Sequence, residues 1–100
     1  MIDNKRYITL TQDEVKELLK DKKAILLDVR TDDEYREKHV DESVNIPIDE
    51  LEERFYELDE DKTYIVFCAH GVRSAAGTCI LLEKGLTNIY NSQEGIATWK

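Results

Sequence analysis

The chain has 100 residues, 41% hydrophobic and 36% charged, with a formal net charge of −8 and a sequence pI near 4.7. That length buries roughly two-thirds of the surface an unfolded chain exposes, so residues 1–100 are expected to fold as one domain without disulfide or metal staples. The acidic balance, the absence of any basic stripe, the lack of an apolar run near the roughly 18 residues a bilayer span needs, and a start "MIDNKRYITL" with no signal-peptide core argue against nucleic acid and membrane as partners and predict a cytoplasmic protein.

Short apolar strands alternate with helical segments along the chain, the pattern of an α/β domain around a mainly parallel sheet. "RYIT" is a weak first strand. "LTQDEVKELLK" follows as a helix, with Thr11 and Glu14 at capping-box spacing and Val15, Leu18 and Leu19 as its inward stripe. "KAILLDV" is the strongest buried strand and ends in Asp28. In "RTDDEYREKHV" the capping-box spacing recurs at Thr31 and Glu34 and starts a short charged helix. "SVNIP" reads as a brief strand stopped by Pro47, and "IDELEERFYEL" as an exposed helix with Leu51, Phe55 and Leu58 at helical spacing. "TYIVFC" is a second central strand. "SAAGTCILLEKG" predicts a helix apolar nearly all the way round, hence well buried, closed by Lys84 and by Gly85 as its C-cap. "LTNIYN" supplies the last strand and "SQEGIATWK" a terminal turn with Trp99 as a core anchor.

The window "YIVFCAHGVRS" carries the chemistry. A cysteine at the C-terminal end of a central parallel strand sits on the sheet edge where α/β folds bind ligands, just before a helix whose first turn has unpaired N–H groups. Those donors and the helix dipole favour the thiolate of Cys68. Gly71 lets the backbone curl into an anion-binding nest. Arg73 adds a permanent cation with a planar donor fork, His70 a further donor, and Ser74 stands where it could cap the helix. Each piece alone has a structural explanation, a core thiol or a turn glycine; their coincidence in one short window is what points to a nucleophile. Cys79 falls on the following helix and reads as core, with a resolving thiol as its alternative. Cys68, His70, Cys79 and His39 match no paired metal-ligand spacing, and no nucleotide fingerprint or nucleophile elbow is present, so neither metal nor cofactor is expected. Asp28, Arg30, Glu34 and His39 read as a structural set of ion pairs and hydrogen bonds rather than as groups that touch substrate.

From about residue 7 to residue 99 the chain resembles the rhodanese family of sulfurtransferases. The resemblance is carried in order by Asp28, Val29, Arg30, Glu34 and Tyr35, by His39, by Asn45, Ile46 and Pro47, by the Cys68 window, and by the ending with Gly95 and Trp99. "KHVDES" and "SQEG" depart from the glycine- and proline-containing turns usual there. The resemblance implies a rhodanese-like fold, a five-stranded, mainly parallel central sheet with helices on both faces, in which Asp28, Arg30, Glu34 and His39 brace the cysteine loop. It also implies a reaction. The Cys68 thiolate takes the outer sulfur of a donor such as thiosulfate and carries it as a persulfide, cradled by Ala69, His70, Gly71, Val72, Arg73 and Ser74. It then yields that sulfur to cyanide or to a thiol acceptor, small or borne by a thioredoxin-like or sulfur-relay protein. Arg73 lies five residues after Cys68, whereas cysteine phosphatases of the tyrosine and dual-specificity kind place arginine six after; the shorter loop resembles that of the sulfurtransferases. The alternatives are a rhodanese-like binding or regulatory module, against which the intact Cys68 and Arg73 argue, and a phosphatase or arsenate reductase, against which the loop length argues.

Overall fold

A computed structural model describes residues 7–100. The strands are β1 (Ile8–Leu10), β2 (Ala24–Asp28), β3 (Val44–Asn45), β4 (Thr63–Phe67) and β5 (Ile89–Ser92). The helices are α1 (Gln12–Leu18), α2 (Asp32–Glu37), α3 (Ile48–Arg54) and α4 (Val72–Glu83), with 3-10 turns at Phe55–Glu57 and Ile96–Thr98. The first strand begins at Ile8; Arg6, which the sequence places in it, lies outside the described residues.

All pairings are parallel, in the order β1-β5-β4-β2-β3. From β2 the chain moves outward to β3, and from β4 it moves the opposite way to β5, so the C-terminal ends of β2 and β4 form a switch point, the position at which open α/β sheets bind ligands. Asp28 and Phe67 are register partners at that edge, and the Val29 N–H donates to the Phe67 carbonyl (2.8 Å). Cys68 is the next residue.

Alternation along the central strands sorts side chains to two faces. Leu27, Val29, Tyr64, Val66 and Cys68 join Leu51 and Leu81 of α3 and α4 in one cluster; Leu26, Ile65 and Phe67 join Val15 of α1 in the other, with Val40, Ile96 and Trp99 packed against it. Trp99 meets Phe67 edge-on at 5.3 Å. Both capping boxes form, with Thr11 and Thr31 accepting from the N–H groups of Glu14 and Glu34 and the two glutamates reaching back.

Two helix expectations need correction. The segment after Pro47 is not simply exposed: α3 buries Leu51 completely and stops at Arg54, and Phe55–Glu57 tightens into the 3-10 turn. Nor is α4 buried all round. Its buried face is the small-residue row Ser74, Gly77 and Thr78 with Leu81, whereas Val72 is 76% exposed and Ala76 and Glu83 face solvent. Small residues let the helix axis lie close to the sheet, and a Cβ on Gly77 would sit 3.2 Å from Val66 Cγ1. At its far end Lys84 is the cap and Gly85 follows at φ +98°. The Gly85 N–H bonds to the Leu82 carbonyl and the Leu86 N–H to that of Leu81, the Schellman pairing.

Candidate active site

Cys68 leaves β4 with its side chain 1% exposed and its sulfur enclosed by backbone donors. The N–H groups of Gly71 and Ser74 donate to Sγ at 3.1 and 3.3 Å. Burial pushes the thiol pKa up, but hydrogen bonds from the Ser74 hydroxyl and from the N–H groups of Ser74, His70 and Gly71 outweigh it, so the thiol lies below its ordinary value.

The helix start explains this arrangement and corrects the role given to Ser74. Gly71 is the N-cap, at φ +91°, and supplies no capping side chain. Ser74 is therefore the third helical residue, and its N–H, normally satisfied by a capping oxygen, is satisfied by the Cys68 sulfur. The Ser74 hydroxyl sits 3.4 Å from the Ser92 carbonyl, a long contact for a hydroxyl donor, and its single proton also reaches Cys68. Gly71 is required twice over. Its φ is left-handed, and a Cβ there would lie 2.4 Å from the Gln93 carbonyl oxygen.

The outer side of the loop is held by the chain after β5. The Ile96 N–H donates to the Cys68 carbonyl (2.9 Å) and the Ala97 N–H to the Ala69 carbonyl (3.2 Å). With both carbonyls turned away, the following N–H groups are free to converge on Sγ.

A second support comes from α2. Arg73 Nη1 and Nη2 donate to Glu34 Oε1 and Oε2 at 2.8 and 3.1 Å, and Thr31 donates to the same carboxylate through its N–H and hydroxyl. The Arg73 guanidinium, helped by these donors, holds the Glu34 carboxyl at about 2 against its usual 4.5. Arg73 is thus a cation anchored in a fork-to-fork pair, with three of its five N–H groups left over. Beneath it, Asp28 and Arg30 form a buried pair: Arg30 Nε reaches both Asp28 oxygens (3.0 and 3.1 Å) and Nη2 reaches Oδ2 (2.7 Å). Arg30 also donates to the carbonyls of Glu34, inside the short α2, and of Lys38, its C-cap, and Asn45 donates to those of Asp28 and Arg30.

Asp28, Arg30, Glu34 and Arg73 are therefore brought together in one continuous set of contacts reaching the cysteine loop. His39 stands apart: exposed, it hydrogen-bonds the Tyr35 carbonyl (2.7 Å) and stacks on the Tyr35 ring at 3.9 Å, a contact local to α2. The His70 side chain is exposed, and its N–H is the part that acts on Cys68. Ala69 and Val72 contribute backbone and shape. Cys79 is half-buried on α4, with no disulfide to Cys68, and burial followed by nearby Glu83 pushes its thiol up, opposite to Cys68. Among the described residues no group of three or more His, Cys, Asp or Glu side chains could hold a metal ion.

The profile of the Rhodanese-like domain family matches residues 11–100. The chain belongs to that family. It is 31% identical over 94 residues to the thiosulfate sulfurtransferase GlpE of Coxiella burnetii, covering 94% of this chain and 88% of that one. The crystal structure of a rhodanese-related protein from Thermoplasma volcanium superposes with a TM-score of 0.84 at 40% identity, covering 93% of this chain and 90% of that one. The human single-domain sulfurtransferase TSTD1 superposes at 0.80 with 27% identity, covering 91% and 93%.

Within this rhodanese-like frame the residues that sequence reasoning left without a role are Ser92, Gly95, Ile96 and Ala97, the outer wall of the cysteine loop. Gly95 was visible only as part of an ending. A glycine just beyond the last strand is the one available signal, and it names no partner.

Proposed function

We propose that this rhodanese-like protein is a sulfurtransferase that carries sulfane sulfur as a persulfide on Cys68. The observation that carries the reading is the enclosure of Sγ by the Gly71 and Ser74 N–H groups at the N-terminus of α4, a site made for anionic sulfur. The relation to GlpE and TSTD1, both named as sulfurtransferases, supports the same chemistry.

With thiosulfate as donor, the Cys68 thiolate attacks the outer sulfur. A new S–S bond forms, the bond to the sulfonate sulfur breaks with its electron pair, and sulfite leaves. The negative charge now rests on the outer sulfur of the Cys68 persulfide. The N–H groups of Val72 and Arg73, in the first turn of α4 where no intrahelical acceptor exists, are the donors best placed to receive it. A second nucleophile, cyanide or a thiolate, then attacks that outer sulfur, the persulfide bond breaks, and Cys68 returns as thiolate while thiocyanate or a new persulfide departs. Glu34 fixes the Arg73 head, so the arginine attracts and orients an anionic donor from a set position. The acceptor in life is a cellular thiol, small or borne by a thioredoxin-like or sulfur-relay protein, and the setting is the reducing cytoplasm, without cofactor.

Steady-state kinetics with thiosulfate and cyanide test this. Parallel double-reciprocal lines, abolished in Cys68→Ser and retained in Cys79→Ser, are the expected result. Activity independent of Cys68 contradicts the proposal. Cys68-dependent hydrolysis of an aryl phosphate in place of sulfur transfer would assign the site to oxyanion chemistry.

A further inference from the structure

The segment after β5 approaches the nucleophile's backbone more closely than any side chain would allow. A Cβ on Gly95 would lie 2.0 Å from the Cys68 carbonyl oxygen and 2.4 Å from both the carbonyl carbon and oxygen of Ala69. All three atoms are backbone, so no flexible group can yield. Gly95 itself is extended (φ −126°), so close approach, not a left-handed turn, is what demands glycine here. The neighbouring contacts run the same way: the Gln93 carbonyl fills the space of a Cβ on Gly71, and the N–H groups of Ile96 and Ala97 bind the carbonyls of Cys68 and Ala69.

The segment is itself tied down on its other side. The Gln93 N–H donates to the Leu10 carbonyl (2.9 Å), extending the β1 to β5 pairing. Gln12 on α1 donates to Glu94 Oε1 (2.9 Å) and to the Thr98 carbonyl (3.1 Å), and the Thr98 hydroxyl donates to the same glutamate oxygen.

We propose that Gly95 is a positioning residue for Cys68: lacking a side chain, it lets the Gln93–Ala97 segment close as a mould on the Cys68–Ala69 peptides, turning their carbonyls outward and the following N–H groups onto Sγ. The inference deepens the sulfur-transfer reading, which supplies the reason for holding Sγ so, but the mould can be tested without that reaction.

The test is the pH dependence of Cys68 alkylation by iodoacetamide, mapped by mass, in a Cys79→Ser background, with sulfur transfer from thiosulfate to cyanide assayed alongside. Gly95→Ala must push the Cys68–Ala69 peptides away. Its alkylation midpoint is expected to rise by about one pH unit, leaving about tenfold less thiolate below the midpoint, with a comparable loss in sulfur transfer. Gly85→Ala is the control for general destabilisation. Its glycine resists a side chain through its left-handed φ of +98° and not through contact, since nothing lies within 4 Å of the added carbon, and its midpoint should stay at the wild-type value. Should Gly95→Ala fail to fold, Ile96→Pro removes the N–H that binds the Cys68 carbonyl, at a helical first position that suits proline after an extended residue, and should shift the midpoint the same way, whereas Ile96→Ala, which trims the same packed side chain but keeps the N–H, should not. A wild-type midpoint in Gly95→Ala or, where that does not fold, in Ile96→Pro overturns the proposal, as does an equal shift in Gly85→Ala. Failure of wild type to transfer sulfur, with the alkylation shifts intact, would overturn the functional reading and leave the mould standing.

Discussion

Glu34 and Arg73 lie 39 positions apart in the chain and meet in a two-pronged ion pair that fastens the first turn of α4 to the first turn of α2. The pair joins two N-terminal helical turns, one capped by Thr31 and the other carrying the Cys68 cradle. Each partner is a little over a third exposed, at 38% and 36%, so water screens the attraction and its worth to stability is about 1 kcal/mol or less. Its value lies in fixing geometry.

Glu34→Gln is therefore expected to cost more in catalysis than in stability. Loss of the carboxylate frees the Arg73 head, and kcat/KM with an anionic donor should fall about tenfold, equivalent to about 1.4 kcal/mol in the transition state. The stability difference has a defined pH window. The Glu34 carboxyl is held at about 2 in the folded chain against its usual 4.5. Its contribution is thus fully present above pH 4.5 and is lost as the pH falls towards 2. Urea midpoints of wild type and Glu34→Gln should differ at neutral pH and converge through that acid range. A difference that persists unchanged at the acid end would refute the assignment.

Ser74→Ala tests the sulfur's own environment. The hydroxyl stabilises the Cys68 thiolate, so its removal raises the thiol pKa and moves reactivity to higher pH. In a Cys79→Ser background, the ultraviolet absorbance of the thiolate should titrate at a higher midpoint than in the parent. An unmoved or lowered midpoint would show that the hydroxyl proton stays on the Ser92 carbonyl.

What could be read from sequence was what neighbours in the chain decide. Both capping boxes are four-residue patterns, and β2 and β4 are apolar runs with charged or polar borders, so their place in the sheet was legible. The Cys68 loop was legible for the same reason. A serine before an apolar run has the pattern of a cap, and no local pattern indicates that a thiol takes the N–H a cap usually serves, as Cys68 does for Ser74. The apolar composition of α4 implies burial all round, but composition does not say which side faces the sheet. Its buried row uses Ser74, Gly77 and Thr78, the last donating to the Ser74 carbonyl (2.8 Å), while the apolar Val72 is left in solvent. The meeting of Glu34 with Arg73, and of Gly95 with Cys68, depends on sheet order, and no local pattern encodes that.

Asp28 and Arg30 make the strongest stability prediction. Both are buried, at 0% and 3% exposure, and Arg30 spends its donors on Asp28 and on the carbonyls of Glu34 and Lys38. Asp28→Ala strands a charge in the interior and should cost about 3–5 kcal/mol in urea denaturation. His39→Ala, at an exposed site, should stay within about 0.5 kcal/mol. Equal losses for the two would contradict the division between brace and surface.

Whether Cys68 carries sulfur is read from the mass of the intact protein after thiosulfate and again after cyanide. A gain of one sulfur atom is expected on the reduced wild type, with its removal by cyanide, the same two events in Cys79→Ser, and neither in Cys68→Ser. A wild type that gains no sulfur from thiosulfate or from a small persulfide, or an adduct that persists in Cys68→Ser, would contradict sulfur carriage by Cys68.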